Sequence, residues 1–318
     1  MPSNSSDSQS SPIRKASFGH EPVLLGEVLK AIAPKDGGVY LDCTFGGGGH
    51  ARAILNSANC KVVAIDRDPA AAERAKAFEA EFPGRFQFFA GEFSKLNELN
   101  CGGYAGILMD LGVSSFQLDE IGRGFSFRGA GPIDMRMDFS KGQTALEFIE
   151  SSPLETLEKA IREYGEEPRY KKAARALKDA ASAGALKTTL DLASVLEKAL
   201  PKKIGSKIHP ATLVFQALRI AVNDELGQAE EALPKAFERL SKGGVLAVIT
   251  FHSLEDRLVK RFFKKMAGRP VDNNDSSSVQ DRVKLAEILT RKPLTASAEE
   301  ISQNPRSRSA KLRALMKI

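Results

Sequence analysis

Asp42, Asp66 and Asp110 each close a short apolar run, Val39 to Leu41, Val62 to Ile65 and Gly106 to Met109, and the first is followed by Thr44-Phe45-Gly46-Gly47-Gly48-Gly49-His50. Carboxylates at the tips of buried strands can accept hydrogen bonds from hydroxyls or face a cation. One or two glycines would reverse the chain, and each costs backbone entropy, so four in a row imply a backbone that something large approaches closely. Asp66 lies where a doubly wound nucleotide fold places the carboxylate that accepts from ribose hydroxyls. Asp42, just ahead of the glycines, would repel a pyrophosphate but suits an ammonium or sulfonium group. The pair therefore favours S-adenosyl-L-methionine over a nicotinamide dinucleotide.

Other segments carry polar chemistry. Asp110 to Asp119 forms the loop after the third of these runs. Asp110 suits the cofactor or a substrate amine whose proton it accepts, and Gln117 offers both a donor and an acceptor. Gly122-Arg123-Gly124-Phe125-Ser126-Phe127-Arg128 and Pro132-Ile133-Asp134-Met135-Arg136-Met137-Asp138 interleave arginine with aromatic and apolar residues, a pattern that can stack on and pair with an unstacked base. The same spacing also suits a packed connector. His209 and His252 fall at element boundaries and read as caps or structural groups; neither a Ser/His/Asp spacing nor a metal-ligand pair is visible, so no metal is expected.

These residues need a parallel sheet to bring them together. Helix patterns over Leu25 to Ile32, Ala51 to Ser57 and Pro69 to Phe82 alternate with the apolar runs, and a further strand is expected over Phe86 to Phe89. Such alternation predicts a sheet covered on both faces, whose ligands collect at the carboxyl ends of the strands. The alternation stops after Asp110. Helices are expected over Ala145 to Glu150, Leu154 to Tyr164, Lys171 to Ala183 and Leu190 to Leu200, punctuated by Pro153, Pro168, Gly184 and Pro201. The sheet pattern resumes with helices over Thr212 to Leu226 and Glu230 to Leu240, a strand over Val245 to Ile249, and a last strand within Ala310 to Met316. The expected organisation is an arm over residues 1–19 without fixed structure, a cofactor domain over 20–113 and 211–318, and an inserted helical domain over 114–210 that recognises the substrate.

With 318 residues and 42% hydrophobic content, the chain can bury a full-sized core. A net charge of +6 leans toward a polyanionic partner without deciding it. Cys43, Cys60 and Cys101 are too scattered for a disulfide framework or zinc site, and no apolar run reaches membrane-spanning length, so a reduced cytoplasmic setting is expected.

His20 to Leu25, Asp42 to His50, Asp110 to Asp119, Pro132 to Met137, His209 to Leu226 and Phe251 to Lys260 together resemble the bacterial small-subunit ribosomal RNA cytosine-N4 methyltransferase family, over nearly all of His20 to Ala314. The resemblance implies an α/β, Rossmann-like class I methyltransferase with a mostly parallel seven-stranded sheet. It implies methylation by S-adenosyl-L-methionine of the exocyclic amine of one cytidine in the decoding region of 16S ribosomal RNA, with the small ribosomal subunit as partner. A homodimer is compatible with this reading. The residues matching the family's cofactor set are Gly48, Gly49, His50, Asp66, Phe93, Asp110 and Gln117. Arg123, Arg128, Arg136, Arg306, Arg308 and Arg313 are the expected RNA contacts. Two departures stand out: Phe116 where the family more often has proline, and Leu213-Val214 where Arg-Thr is usual after His-Pro-Ala-Thr. The rival readings are a DNA amino-methyltransferase, which shares the pocket and needs an extruded base, and a noncatalytic ribosome-assembly factor.

Overall fold

The computed structural model describes residues 21–99, 102–201, 209–272, 275 and 282–318; the expected N-terminal arm, His20 and Cys101 lie outside them. The strand and helix order is α1 (Leu25–Ile32), β1 (Val39–Asp42), α2 (Gly49–Ser57), β2 (Lys61–Asp66), α3 (Pro69–Glu81), β3 (Phe86–Ala90), β4 (Tyr104–Asp110) and α4 (Ser115–Asp119). The helical segment follows with α5 (Ala145–Ser151), α6 (Leu154–Gly165), α7 (Tyr170–Ser182), α8 (Thr189–Ala199) and α9 (Thr212–Asn223). The chain closes with α10 (Glu225–Arg239), β5 (Leu240–Thr250), α11 (Ser253–Met266), β6 (Ala286–Ile288), β7 (Leu294–Thr295), α12 (Ala298–Gln303) and β8 (Lys311–Lys317).

The strands join in one sheet of order β3-β2-β1-β4-β5-β8-β6, with β7 also on β8. The first five are mutually parallel and β8 runs antiparallel to β5. The sheet thus has eight strands, not the expected seven. β6 and β7 pair with successive stretches of β8, so they share one edge position and the sheet is seven positions wide. Because β1, β2 and β4 are neighbours and parallel, their tips bring Asp42, Asp66 and Asp110 to one rim. Two apolar clusters cover the sheet faces. One contains Val28, Ile54, Phe78 and Ile249, and the other contains Met109, Leu233, Phe237 and Phe263.

A third cluster forms the core of the helical segment, and it includes Ala211, Val214, Phe215, Ala217 and Leu218 from the start of α9 onward. By packing, α9 belongs with the helices rather than with the sheet, so the expected boundary at residues 210–211 falls one helix too early. The junction is Asp224, whose left-handed backbone (φ 48°) separates α9 from α10. The two helices were expected to part a few residues later. Among the described residues no helix is long and apolar enough to cross a membrane.

Candidate active site

The turn from β1 to α2 is held by its own side chains. Asp42 is buried and its Oδ1 accepts from the Thr44 amide at 3.1 Å, while the Thr44 hydroxyl accepts from the Asp110 amide at 2.7 Å. Asp66 Oδ2 accepts from the Gly46 amide at 2.7 Å and its Oδ1 from the Asp68 amide at 2.9 Å. The tips of β1, β2 and β4 are thereby tied through backbone amides.

The fold supplies its own reason for the glycines. A Cβ on Gly47 would sit 2.4 Å from the Phe116 ring, one on Gly48 2.4 Å from Phe78, and one on Gly49 2.3 Å from Pro22. The large groups approaching this backbone are the protein's own rings. Gly46 and Gly48 also have positive φ, at 52° and 75°, where a side chain is strained. Phe116 lies between Gly47 and the Arg74 guanidinium, 4.5 Å from its ring centroid. Ser114 and Gln117 form a capping box at the start of α4, so the loop carrying Phe116 is fixed by caps.

His50 enters from the first turn of α2. It is buried, with Nε2 3.7 Å from Asp110 Oδ2, and neither of its ring nitrogens has a hydrogen-bond partner; Asp110 Oδ1 is also buried and unpartnered. Buried polar atoms without partners are rare in native proteins, and here they face one another at the rim. Burial lifts the Asp42 carboxyl to about 6, against the lowering pull of His50 and the Thr44 amide. Burial also raises Asp66 despite its two amide bonds.

Of the expected cofactor residues, His50 and Asp110 meet directly, with Gly48 and Gly49 in the adjoining turn and Asp66 beside it. Phe93 opens a 3-10 turn after β3 and is partly buried. Gln117 stands one step back: its Nε2 donates to Asp68 Oδ2 at 2.9 Å and its Oε1 accepts from the Ser114 amide.

Two expected RNA contacts are corrected. Arg123 is buried, donating at 2.9 Å to Asp68 and through its other arm to the carbonyls of Arg136 and Met137. Arg313 is buried on β8 and paired with Asp256 at 2.6 Å. Sequence shows a cation but not its burial. Arg136 is forked onto Asp134 and Arg306 onto Asp119. Arg128 and Arg308 are exposed.

Asp68 was missed as a site residue. It caps α3 and also receives Gln117 and Arg123, which joins the cofactor rim to the helical segment. Its only sequence signal was Asp before Pro69, an ordinary cap. Arg67 and Asn223 were missed too: Arg67 donates to the Asn223 carbonyl, and Asn223 holds Met137 N and Met135 O with its amide. His252 caps α11 with Glu255, as its position implied. Glu225, His252 and Glu255 cluster within 4.8 Å, and Arg219 forks onto Glu225 at 2.7 and 2.9 Å, so this group already contains its own cation. Burial alone would raise Glu255, but its bond to His252 and the charge of Arg219 bring it below the usual range.

Residues 17–318 match the model of the MraW methylase family. The Gluconobacter oxydans protein "Ribosomal RNA small subunit methyltransferase H" is 46% identical over 302 residues, covering 94% of this chain and 93% of that protein. Its namesake from Sorangium cellulosum is 46% identical over 312 residues, with 96% and 93% covered. That from a Wolbachia of Drosophila simulans is 45% identical over 303 residues, with 94% and 99% covered. Family match, parallel rim and residue set agree: this chain belongs to the MraW methylase family.

Proposed function

We propose that this protein transfers a methyl group from S-adenosyl-L-methionine to the exocyclic N4 amine of a cytidine in the decoding region of 16S ribosomal RNA. The observation that carries the reading is the rim that gathers Asp42, Asp66 and Asp110 and sets His50 against Asp110, leaving both His50 nitrogens and Asp110 Oδ1 buried without partners. These residues fit the cofactor. Three carboxylates suit a ligand with a sulfonium, an ammonium and ribose hydroxyls, and the unpaired atoms are sites such a ligand must satisfy. Asp66 would hold the ribose, Phe93 the adenine side, and Asp42 and His50 the charged amino-acid end.

When bound, S-adenosyl-L-methionine supplies an electrophilic methyl carbon, so the protein's task is alignment and proton management. Cytosine N4 is a weak nucleophile because its lone pair is delocalised into the ring. A carboxylate accepting one of its N–H groups favours the pyramidal, nucleophilic form. Asp110 is that acceptor in this reading: Thr44 pins its amide, and Oδ1 has no other partner. Asp110, with Oδ1 unpartnered, would take the proton that the amine gives up on methylation.

The test is mass-spectrometric mapping of modified nucleosides in small-subunit RNA from cells with and without the gene, paired with transfer assays on purified RNA and subunits. Loss of N4-methylcytidine at one position, restored by the purified protein, is expected. Transfer to duplex DNA, or RNA binding without turnover, would overturn the reading.

A further inference from the structure

One of the links between the helical segment and the sheet rim is a short strap over residues 137–141. Its near end is Met137, whose amide donates to Asn223 Oδ1 at 2.7 Å and whose carbonyl accepts from Arg123 at 2.7 Å; Arg123 in turn binds Asp68, two residues beyond Asp66 at the tip of β2. Its far end is Lys141, whose Nζ lies 3.7 Å from Glu92 Oε1, two residues beyond the tip of β3 and next to Phe93. Since β2 and β3 are parallel neighbours, residues 137–141 cross the carboxyl ends of both. Asp138 accepts from the Ser140 amide and hydroxyl and pairs with Lys141, which fixes the turn between the two anchors.

Phe139 is the midpoint of this bridge. It is 49% exposed, and among the described residues it is the only aromatic side chain with large exposure. The Arg123 guanidinium lies over its ring, 5.2 Å from the centroid, and restrains it. An apolar ring half in water, on a short turn pinned at both ends, contributes nothing to a core; a flat ligand would cover it. The strap crosses the two strand ends whose residues, Asp66 and Phe93, face the adenosine half of the cofactor in the function proposed above. We infer that Phe139 is a further cofactor-binding residue, the aromatic cap that stacks on the adenine of S-adenosyl-L-methionine from the helical side. The inference rests on that reading of the rim. It makes the pocket a joint product of both parts of the chain, because the cap is carried by the helical segment while the ribose carboxylate stands on the sheet.

The chain contains no tryptophan, so F139W introduces a single indole whose emission reports on this position alone. Calorimetry with S-adenosylhomocysteine and no RNA should show F139A binding roughly tenfold more weakly than the unsubstituted protein, the scale of a lost base stack, with F139Y close to it. Emission from F139W should be quenched by S-adenosylhomocysteine and by adenosine, and unchanged by homocysteine. Unaltered affinity in F139A with the unsubstituted protein binding normally would overturn the cap alone, as would F139W emission that responds only to single-stranded RNA. Absence of any binding by the unsubstituted protein would sink the cap together with the proposed function.

Discussion

Asp42 shows how a single side chain trades stability for ligand binding. In the folded chain its carboxyl holds a proton up to about pH 6, whereas its ordinary value is 3.8. The folded state therefore binds the extra proton between these values. The stabilising contribution is full below the unfolded value and is lost as pH rises through the folded one, a cost of about 3 kcal/mol at neutral pH. Asp42→Asn should raise the melting temperature at pH 7 and have little effect near pH 4, as read by calorimetric scans across that range. The same substitution should weaken S-adenosylmethionine binding at pH 7, because the ionised carboxylate is what a cationic ligand recovers. Asp66 and Asp110 separate in another way. Asp66→Asn should lower cofactor affinity by about 1–3 kcal/mol, since an amide nitrogen cannot replace a carboxylate oxygen that accepts from a ribose hydroxyl. Asp110→Asn should slow single-turnover transfer at least about tenfold, within the range of a lost general base, while affinity stays within a few-fold. Affinity loss without a change in the single-turnover rate would return Asp110 to a binding role.

At the scale of elements, the strands that build the rim were legible because their tips combine buried runs with Asp, and helices such as α1 were legible because their apolar faces repeat at helical spacing. β6 and β7, three and two residues long, were invisible: exposed Leu294 and Thr295 carry no alternation, and only the register of β8 makes them strands. The affiliation of α9 was hidden as well, because its apolar face would suit either core and only packing decides. The glycine turn was legible, but no local pattern announces that Phe78, Phe116 and Pro22 also converge on it. That convergence makes a prediction. Gly48→Ala forces a left-handed alanine against the buried Phe78 and Phe45 rings and should cost about 1–3 kcal/mol or more in urea unfolding. Gly47→Ala meets only the far edge of Phe116, so its smaller cost should vanish in a Phe116→Ala background. Equal costs for the two substitutions would mean that ring packing does not explain the turn.

The described residues pack into a sheet part and a helical part that meet through charged contacts, and the location of each arginine decides whether it serves those contacts or the substrate. Arg123 joins the two parts. Arg123→Ala leaves buried Asp68 short of its cation and should destabilise the fold by about 3–5 kcal/mol. Arg128, exposed on the helical side, and Arg308, exposed beside the rim's C-terminal turn, are free for phosphates. A net charge of +6 supplies the general attraction to RNA, but counterion release counts only the cations that reach phosphate. The slope of log affinity against log salt therefore distinguishes them. Arg128→Ala should lower affinity for small-subunit RNA uniformly across sequences and reduce that slope by about 0.7, the value for one contact to a single strand, and Arg308→Ala should do the same. Arg313→Ala, which unpairs Asp256 within the sheet, should reduce melting temperature and leave the slope unchanged. A reduced slope in Arg313→Ala would mean that Arg313 reaches phosphate despite its pairing with Asp256, and an unchanged one in Arg128→Ala would remove Arg128 from the RNA contacts.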